Sequence, residues 1–181
     1  MHCGPEITLE QVLACRERRA ARQKVWLETN ALPLISFTVN MAGSVKRNKV
    51  SAIAFEQGYQ AILDACCQHG VSVASMEKVC ADTGYELLIS AKVDSAEALK
   101  RIMVAVEESH PLGRLFDIDV ITKEGKILSR GELGYDRRKC LICDSDAKVC
   151  SRSRTHSLKE LKERMSEMIY ECETVRSLLT E

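Results

Sequence analysis

The sequence predicts an α+β fold, one antiparallel sheet carrying two helices on one face. Three observations lead there. Apolar and polar residues alternate over residues 34–40, 84–93 and 113–121, the period of strands with one buried face. Residues 48–68 and 95–110 instead carry apolar residues at helical spacing. With a further strand over residues 71–79, the order is β-α-β-β-α-β. That is the ferredoxin-like order, in which the first and last strands are antiparallel neighbours.

A chain of 181 residues can hold such a core with flanking pieces. One domain is expected over residues 1–181. Its core spans about 30–135, a small Cys/His knuckle about 137–157, and a C-terminal helix about 157–179. Hydrophobic residues make up 45% and charged residues 29%, as in soluble globular proteins. Formal net charge is zero, so no bulk attraction draws in a nucleic acid. No apolar run reaches the length of a membrane span. The start, Met1-His-Cys-Gly-Pro-Glu6, lacks the basic and apolar regions of a signal peptide, so a cytoplasmic location is expected. Nine cysteines, an odd number, argue against a complete disulfide framework and for reduced thiols. Cys15, Cys66, Cys67, Cys80 and Cys172 read as core fillers.

Thr8-Leu-Glu-Gln11 has the pattern of a capping box and opens a helix to about residue 28. Leu9, Val12, Leu13, Val25 and Trp26 are its apolar contacts, and a run from Arg16 to Lys24 makes its middle basic. That run is a solvated face or a dock for an acidic partner or phosphates. Leu32-Pro33 ends the helix, and the first strand then places Ile35, Phe37 and Val39 on one face. The next turn, Met41-Ala-Gly-Ser-Val-Lys46, precedes a helix with Val50, Ile53, Ala54, Tyr59, Ile62 and Leu63 inward. Gly43 lets backbone approach a ligand, and free N–H groups at a helix start favour anions. The stretch does not match a Walker A loop, and an ordinary strand-to-helix turn is the alternative. Ala81-Asp-Thr-Gly84 is a hairpin turn, after which Tyr85, Leu87, Ile89, Ala91 and Val93 share a face. Asp94 or Ser95 caps the second helix, and Pro111 and Gly113 stop it. Lys123-Glu-Gly-Lys126 is a turn from which residues 127–130 return as a short strand.

The strand from Gly113 to Ile121 carries Asp117 and Asp119 on one face and Phe116, Ile118 and Val120 on the other. Acidic residues are poor strand formers, so a pair inside an apolar strand suggests a hard cation such as Mg²⁺ beside phosphates. A solvated acidic face is the plain alternative. In the expected topology Asn40, Lys46, Arg114, Asp117 and Asp119 converge on an open sheet face.

Cys140, Cys143, Cys150 and His156 form C-x₂-C-x₆-C-x₅-H, a donor set able to close a tetrahedral Zn²⁺ site. Reduced thiols under a loop are the alternative. The segment is also basic, with Arg137, Arg138, Lys139, Lys148, Arg152 and Arg154. Ser157-Leu-Lys-Glu160 is a second capping box, opening a helix with an apolar stripe from Leu158 to Leu179.

The ordered set Phe37-Thr-Val-Asn40, Gly43, Lys46, residues 113–121, Leu128-Ser-Arg130, Leu133-Gly134, Arg138-Lys-Cys-Leu-Ile-Cys143, Cys150, Arg152, Arg154 and His156-Ser-Leu158 resembles one family. It is the holo-citrate lyase acyl carrier protein synthases, or apo-citrate lyase phosphoribosyl-dephospho-CoA transferases. The resemblance covers essentially the whole chain. It implies a nucleotidyltransferase with 2′-(5″-triphosphoribosyl)-3′-dephospho-CoA as donor. The acceptor would be a serine of the acyl carrier (γ) subunit of apo-citrate lyase, with pyrophosphate released. The chemistry then suggests roles. Asp117 and Asp119 hold Mg²⁺, or one takes the serine proton. Lys46, Arg114 and Arg130 neutralise the triphosphate, Gly43 and Ser44 add N–H donors, and Asn40 orients the donor or a metal-bound water. Two other readings stand beside it: a nucleotidyl or phosphoribosyl transferase for a small molecule, and a non-catalytic RNA-binding zinc knuckle. Few aromatics on the strand faces weigh against the last.

Overall fold

The computed structural model of the chain describes residues 1–172. Helix α1 spans Leu9–Asn30 and β1 spans Leu34–Val39. Then come α2 (Lys49–Gln68), β2 (Ser72–Ala81), β3 (Gly84–Lys92), α3 (Ala96–Ser109) and β4 (Phe116–Ile121). Two more helices follow, α4 (Ala147–Ser153) and α5 (Leu158–Glu171). The strands form one sheet in the order β2-β3-β1-β4, with every neighbouring pair antiparallel. This is a mixed fold of five helices and a four-stranded antiparallel sheet among the described residues.

Local chemistry accounts for the element starts. Thr8 and Gln11 bond each other's backbone N–H, as the capping box requires. Asn48 and Ser51 do the same at α2, Ser157 and Glu160 at α5, and Ser95 caps α3. On one sheet face Ile35, Phe37, Leu87, Ile89, Ile118 and Val120 bury against α2 and α3. Met165, Met168 and Ile169 of α5 join the same core. Phe37 stacks on Phe55 at 5.4 Å and meets the edge of Phe116 at 5.5 Å. Helix α2 can approach this cluster because position 58 is glycine; a Cβ there would stand 2.4 Å from the Phe37 ring.

The opposite face, expected open, is partly covered by α1. Trp26 and Leu27 pack on Leu34, Leu88 and Ile121. Farther along, Gln23 bonds Ser36 at 2.9 Å, and Arg19 and Arg22 pair with the buried Glu86. Helix α1 thus meets the sheet through its polar side as well, which leaves Leu9, Leu13 and Val25, expected as contacts, exposed.

Other expectations are corrected near β4. The strand begins at Phe116, not Gly113, because Gly113–Leu115 form a 3₁₀ turn pressed onto the end of α3. A Cβ at Gly113 would lie 2.1 Å from the Glu107 carbonyl oxygen, so only glycine fits. Residues 127–130 do not form a strand. Ile127 makes an isolated bridge to Ile121, and the Ser129 N–H and hydroxyl turn to the Glu132 carboxylate instead. Helix α4, absent from the sequence reading, starts where Asp146 accepts the Lys148 and Val149 N–H groups. In the last stripe Met165, Met168, Ile169 and Cys172 are buried, whereas Val175 and Leu179 lie outside the described residues.

Strand β4 is a sheet edge whose outer side is occupied by side chains. Glu107 accepts the Ile118 N–H at 2.9 Å, and Lys100 donates to the Ile118 carbonyl at 2.7 Å. Arg138 donates to the Phe116 carbonyl at 2.6 Å. These bonds satisfy backbone groups that an edge strand otherwise offers to other chains.

Candidate active site and metal centre

The loop after β1, the 3₁₀ turn before β4, the knuckle and the start of α5 enclose a cavity of about 890 Å³. Asn40 and Gly43 come from the loop, Arg114 from the turn, and Arg138, Lys139 and Arg154 from the knuckle. Leu115, Leu141, Leu161 and Met165 supply apolar wall, and no Asp or Glu lines it among the described residues. Burial and the neighbouring Arg138 both lower the proton affinity of the Arg114 guanidinium. Two arginines held together without a carboxylate in the cavity favour an anion between them.

Arg138 is fixed from behind. One of its nitrogens donates to the carbonyls of Gly113, Arg114 and Phe116 at 3.1, 3.4 and 2.6 Å. The other stands 3.8 Å from Asp117. Arg138 therefore links the cavity to the acidic pair, which lies outside the cavity lining. Asp117 and Asp119 face the α1 side of the sheet, opposite Thr38 and Ser36 of β1. Asp117 is exposed and Asp119 half-buried. Burial, and next the charge of Asp117, raise the Asp119 pKa above the usual carboxylate range. Such a carboxyl gains from a cation, so the pair's chemistry fits a hard metal ion with oxygen ligands.

The remaining sequence candidates divide. Gly43 adopts φ +84 and touches α5, where a Cβ would meet Leu158 at 3.0 Å. Asn40 stays at the cavity and donates its N–H to the Leu115 carbonyl at 2.8 Å. Ser44 is exposed beyond the lining, and its carbonyl accepts the Ile7 N–H at 3.0 Å. Lys46 turns back to the Met41 carbonyl, and burial followed by the Arg16 charge lowers its pKa. The N–H groups expected free at the start of α2 are partly consumed by the Asn48–Ser51 box. Arg130 is held by Glu107 at 2.7 Å and Glu108 at 3.1 Å, away from the cavity lining.

Cys140, Cys143, Cys150 and His156 are brought together, with their ligand atoms all within 4.8 Å of one another. The Cys143 sulfur lies 3.5 Å from that of Cys150 and 3.2 Å from His156 Nε2. The imidazole pulls the Cys143 thiol down to about 6. Three sulfurs and one ring nitrogen at this spacing are a donor set for one metal ion.

The sequence model of the CitX family, apo-citrate lyase phosphoribosyl-dephospho-CoA transferase, matches residues 7–172. The chain belongs to this family. A relative in Vibrio cholerae serotype O1 (strain M66-2), named a probable apo-citrate lyase phosphoribosyl-dephospho-CoA transferase, is 39% identical over 170 residues. That alignment covers 94% of this chain and 96% of the relative. Relatives of the same name, without the qualifier, in Shigella boydii serotype 18 and Escherichia coli O157:H7 are 37% identical over 175 residues. Those alignments cover 93% of this chain and 95% of each relative.

In this member of the CitX family Lys100 and Glu107 belong to no motif of the sequence. Their signal was present, since charged residues seven apart border the Leu99–Met103–Val106 stripe of α3. In the sequence Arg138 belongs both to the family-like segment 138–143 and to the knuckle cations, and nothing local there points to its bonds with residues 113–116.

Proposed function

We propose that the chain transfers the 2′-(5″-phosphoribosyl)-3′-dephospho-CoA group from 2′-(5″-triphosphoribosyl)-3′-dephospho-CoA to a serine of the citrate lyase acyl carrier (γ) subunit, releasing pyrophosphate. The observation that carries the reading is the cavity, whose cations have no carboxylate beside them in the lining and whose walls are otherwise apolar. Phosphates suit the Arg114–Arg138 end, and the long pantetheine arm suits the wall of Leu115, Leu141, Leu161 and Met165. The family's name carries the transferred group, phosphoribosyl-dephospho-CoA, and the acceptor enzyme, apo-citrate lyase, and so supports this reading. The sheet order β2-β3-β1-β4, with α2 leading from β1 to β2 and α3 from β3 to β4, supports a ferredoxin-like core, and the described chain is read as one transferase domain.

Transfer at phosphorus needs in-line positioning and neutralised charge. Arg114 and Arg138 meet the donor phosphates and stabilise charge that grows on the departing pyrophosphate. Asn40 and the exposed backbone at Gly43 and Ser44 orient the donor at the mouth. Asp117 and Asp119 would hold Mg²⁺, which would supply positive charge for the phosphate oxygens. With its raised pKa, Asp119 is also the carboxyl better suited to accept the serine proton. Lys46 and Arg130 act from farther out, shaping the loop and the β4 edge through Met41 and Glu107. Exposed knuckle cations meet the acceptor, which this reading takes to be an acidic carrier.

The test incubates the protein, Mg²⁺ and donor with apo-carrier and weighs the carrier. A gain equal to the phosphoribosyl-dephospho-CoA group on one serine is expected. No gain with folded protein and intact donor overturns the reading.

A further inference from the structure

The knuckle poses a physical problem that its own packing does not solve. Among residues 137–156 only Cys140 and Cys150 are buried. The apolar side chains of Ile142 and Val149 point to solvent. Ordering a segment of this length costs backbone entropy at every residue, and two buried thiols do not offset that. Outside the short helix α4 its backbone bonds are few: the Lys139–Asp146 bridge, the Cys140 N–H to the Ser145 carbonyl, the Ala147 N–H to the Arg138 carbonyl and the Thr155 N–H to the Cys150 carbonyl, with Arg138 alone tying the segment to residues 113–116 through side-chain bonds. Yet the segment forms one side of the cavity, with Cys140, Cys150 and His156 in the lining and Arg138 and Arg154 two residues from a ligand.

We propose that Cys140, Cys143, Cys150 and His156 bind one Zn²⁺, and that this ion builds the cavity wall by ordering residues 137–156. Three thiols lose their protons to solvent as three Zn–S bonds form, and the His156 ring supplies the fourth bond through Nε2. The closed S₃N site carries one net negative charge, and Arg138, Lys139 and Arg154 surround it with positive charge. No ligand position stays open, so the ion is structural and takes no part in phosphorus chemistry. Without it the wall loses its fixed geometry while the sheet persists, because the main core lies on the α2–α3 face and α1 packs on the other. This inference does not depend on the transfer reading.

The test uses the full chain, purified without chelators under reducing conditions. About one equivalent of zinc is expected, and less than about one tenth overturns the site. Replacement by Co²⁺ should give the visible bands of tetrahedral cobalt with thiolate charge transfer; an octahedral spectrum overturns the S₃N assignment. Cys143→Ser should lose the metal, whereas Cys67→Ser, at an exposed thiol on α2, should retain it. Equal zinc in both variants overturns the ligand set. Chelation should open the knuckle to trypsin at Arg137, Lys148, Arg152 and Arg154, with zinc restoring protection. The emission of Trp26, the single tryptophan, lies on the far side of the sheet and should not change. Tryptic resistance unchanged by chelation, or a Trp26 shift that accompanies cleavage, overturns the local-wall role.

Discussion

Asp117 and Asp119 stand on the same strand face and differ in what surrounds them. Asp119 is the more buried, and its raised pKa means the folded protein holds that proton more tightly than the unfolded chain. A raised carboxylate costs stability as pH climbs through the unfolded and then the folded pKa, and the cost is full above both. Asp119→Asn removes the ionised form, so its melting temperature should exceed that of the parent at about pH 7 and approach it at about pH 4. The same variant should lose transfer. A melting temperature lowered equally at both pH values would instead mark Asp119 as a packing residue. Arg114 makes a simpler case. With no carboxylate beside it in the cavity, Arg114→Ala should weaken donor binding by about 1.5–3 kcal/mol, or roughly 10–100-fold in KM, with the fold unchanged. Gly58 acts through sterics alone. Alanine favours helices by about 1 kcal/mol, but its Cβ would press on Phe37 at 2.4 Å. Gly58→Ala should therefore lower stability by about 1–3 kcal/mol in urea unfolding.

Elements that announce themselves locally were the legible ones. The boxes at Thr8 and Ser157, the period-two strands and the helical stripes over 48–68 and 95–110 set the element order in the residues themselves. What escaped were elements decided by distant partners. Strand β4 starts late because Gly113 must clear Glu107, and residues 127–130 turn away because Ser129 finds Glu132. The side of the sheet that α1 covers depends on Arg19 and Arg22 meeting Glu86, a pairing no local pattern reveals. The α3–β4 connection carries its own expected outcome. Glu107 joins Ile118 N–H and Arg130 in a buried network, its side chain only 4% exposed. Glu107→Ala removes the buried partner of the Arg130 guanidinium, leaving it only the exposed Glu108, and leaves the edge N–H unbonded. Urea unfolding should show a loss of about 3–5 kcal/mol, and the variant should self-associate more readily through the freed β4 edge. Lys100 is buried beside the same strand with its pKa lowered by that burial, so Lys100→Met should be far milder than Glu107→Ala.

Across the whole molecule the balance of charge hides its distribution. Net charge is zero, yet residues 137–156 carry six Lys or Arg against two Asp. The excess is partly in the cavity, through Arg138 and Arg154, and partly outside it, on Arg137, Lys148 and Arg152. The candidate site was legible in the same divided way. The Cys/His spacing gave the metal cluster, since four ligands at fixed offsets have little freedom to part. The cavity was legible only where the β1 loop meets Arg114, through Asn40 and Gly43; the walls from the knuckle and α5 depend on packing that no local pattern shows. Inner and outer cations should respond differently to salt. Charges in a half-buried cavity are screened less than exposed ones, whose reach at 0.1 M salt is about 10 Å. In the proposed reaction, raising salt from about 0.05 to 0.5 M should increase KM for the carrier several-fold and KM for the donor much less. Reversing Lys148 and Arg152 to Glu should reproduce the carrier effect at low salt, with kcat and donor KM unchanged. Steady-state kinetics with each substrate varied in turn read the difference. Equal salt sensitivity of both KM values would mean that knuckle cations do not discriminate carrier from donor, and would move the carrier to another face.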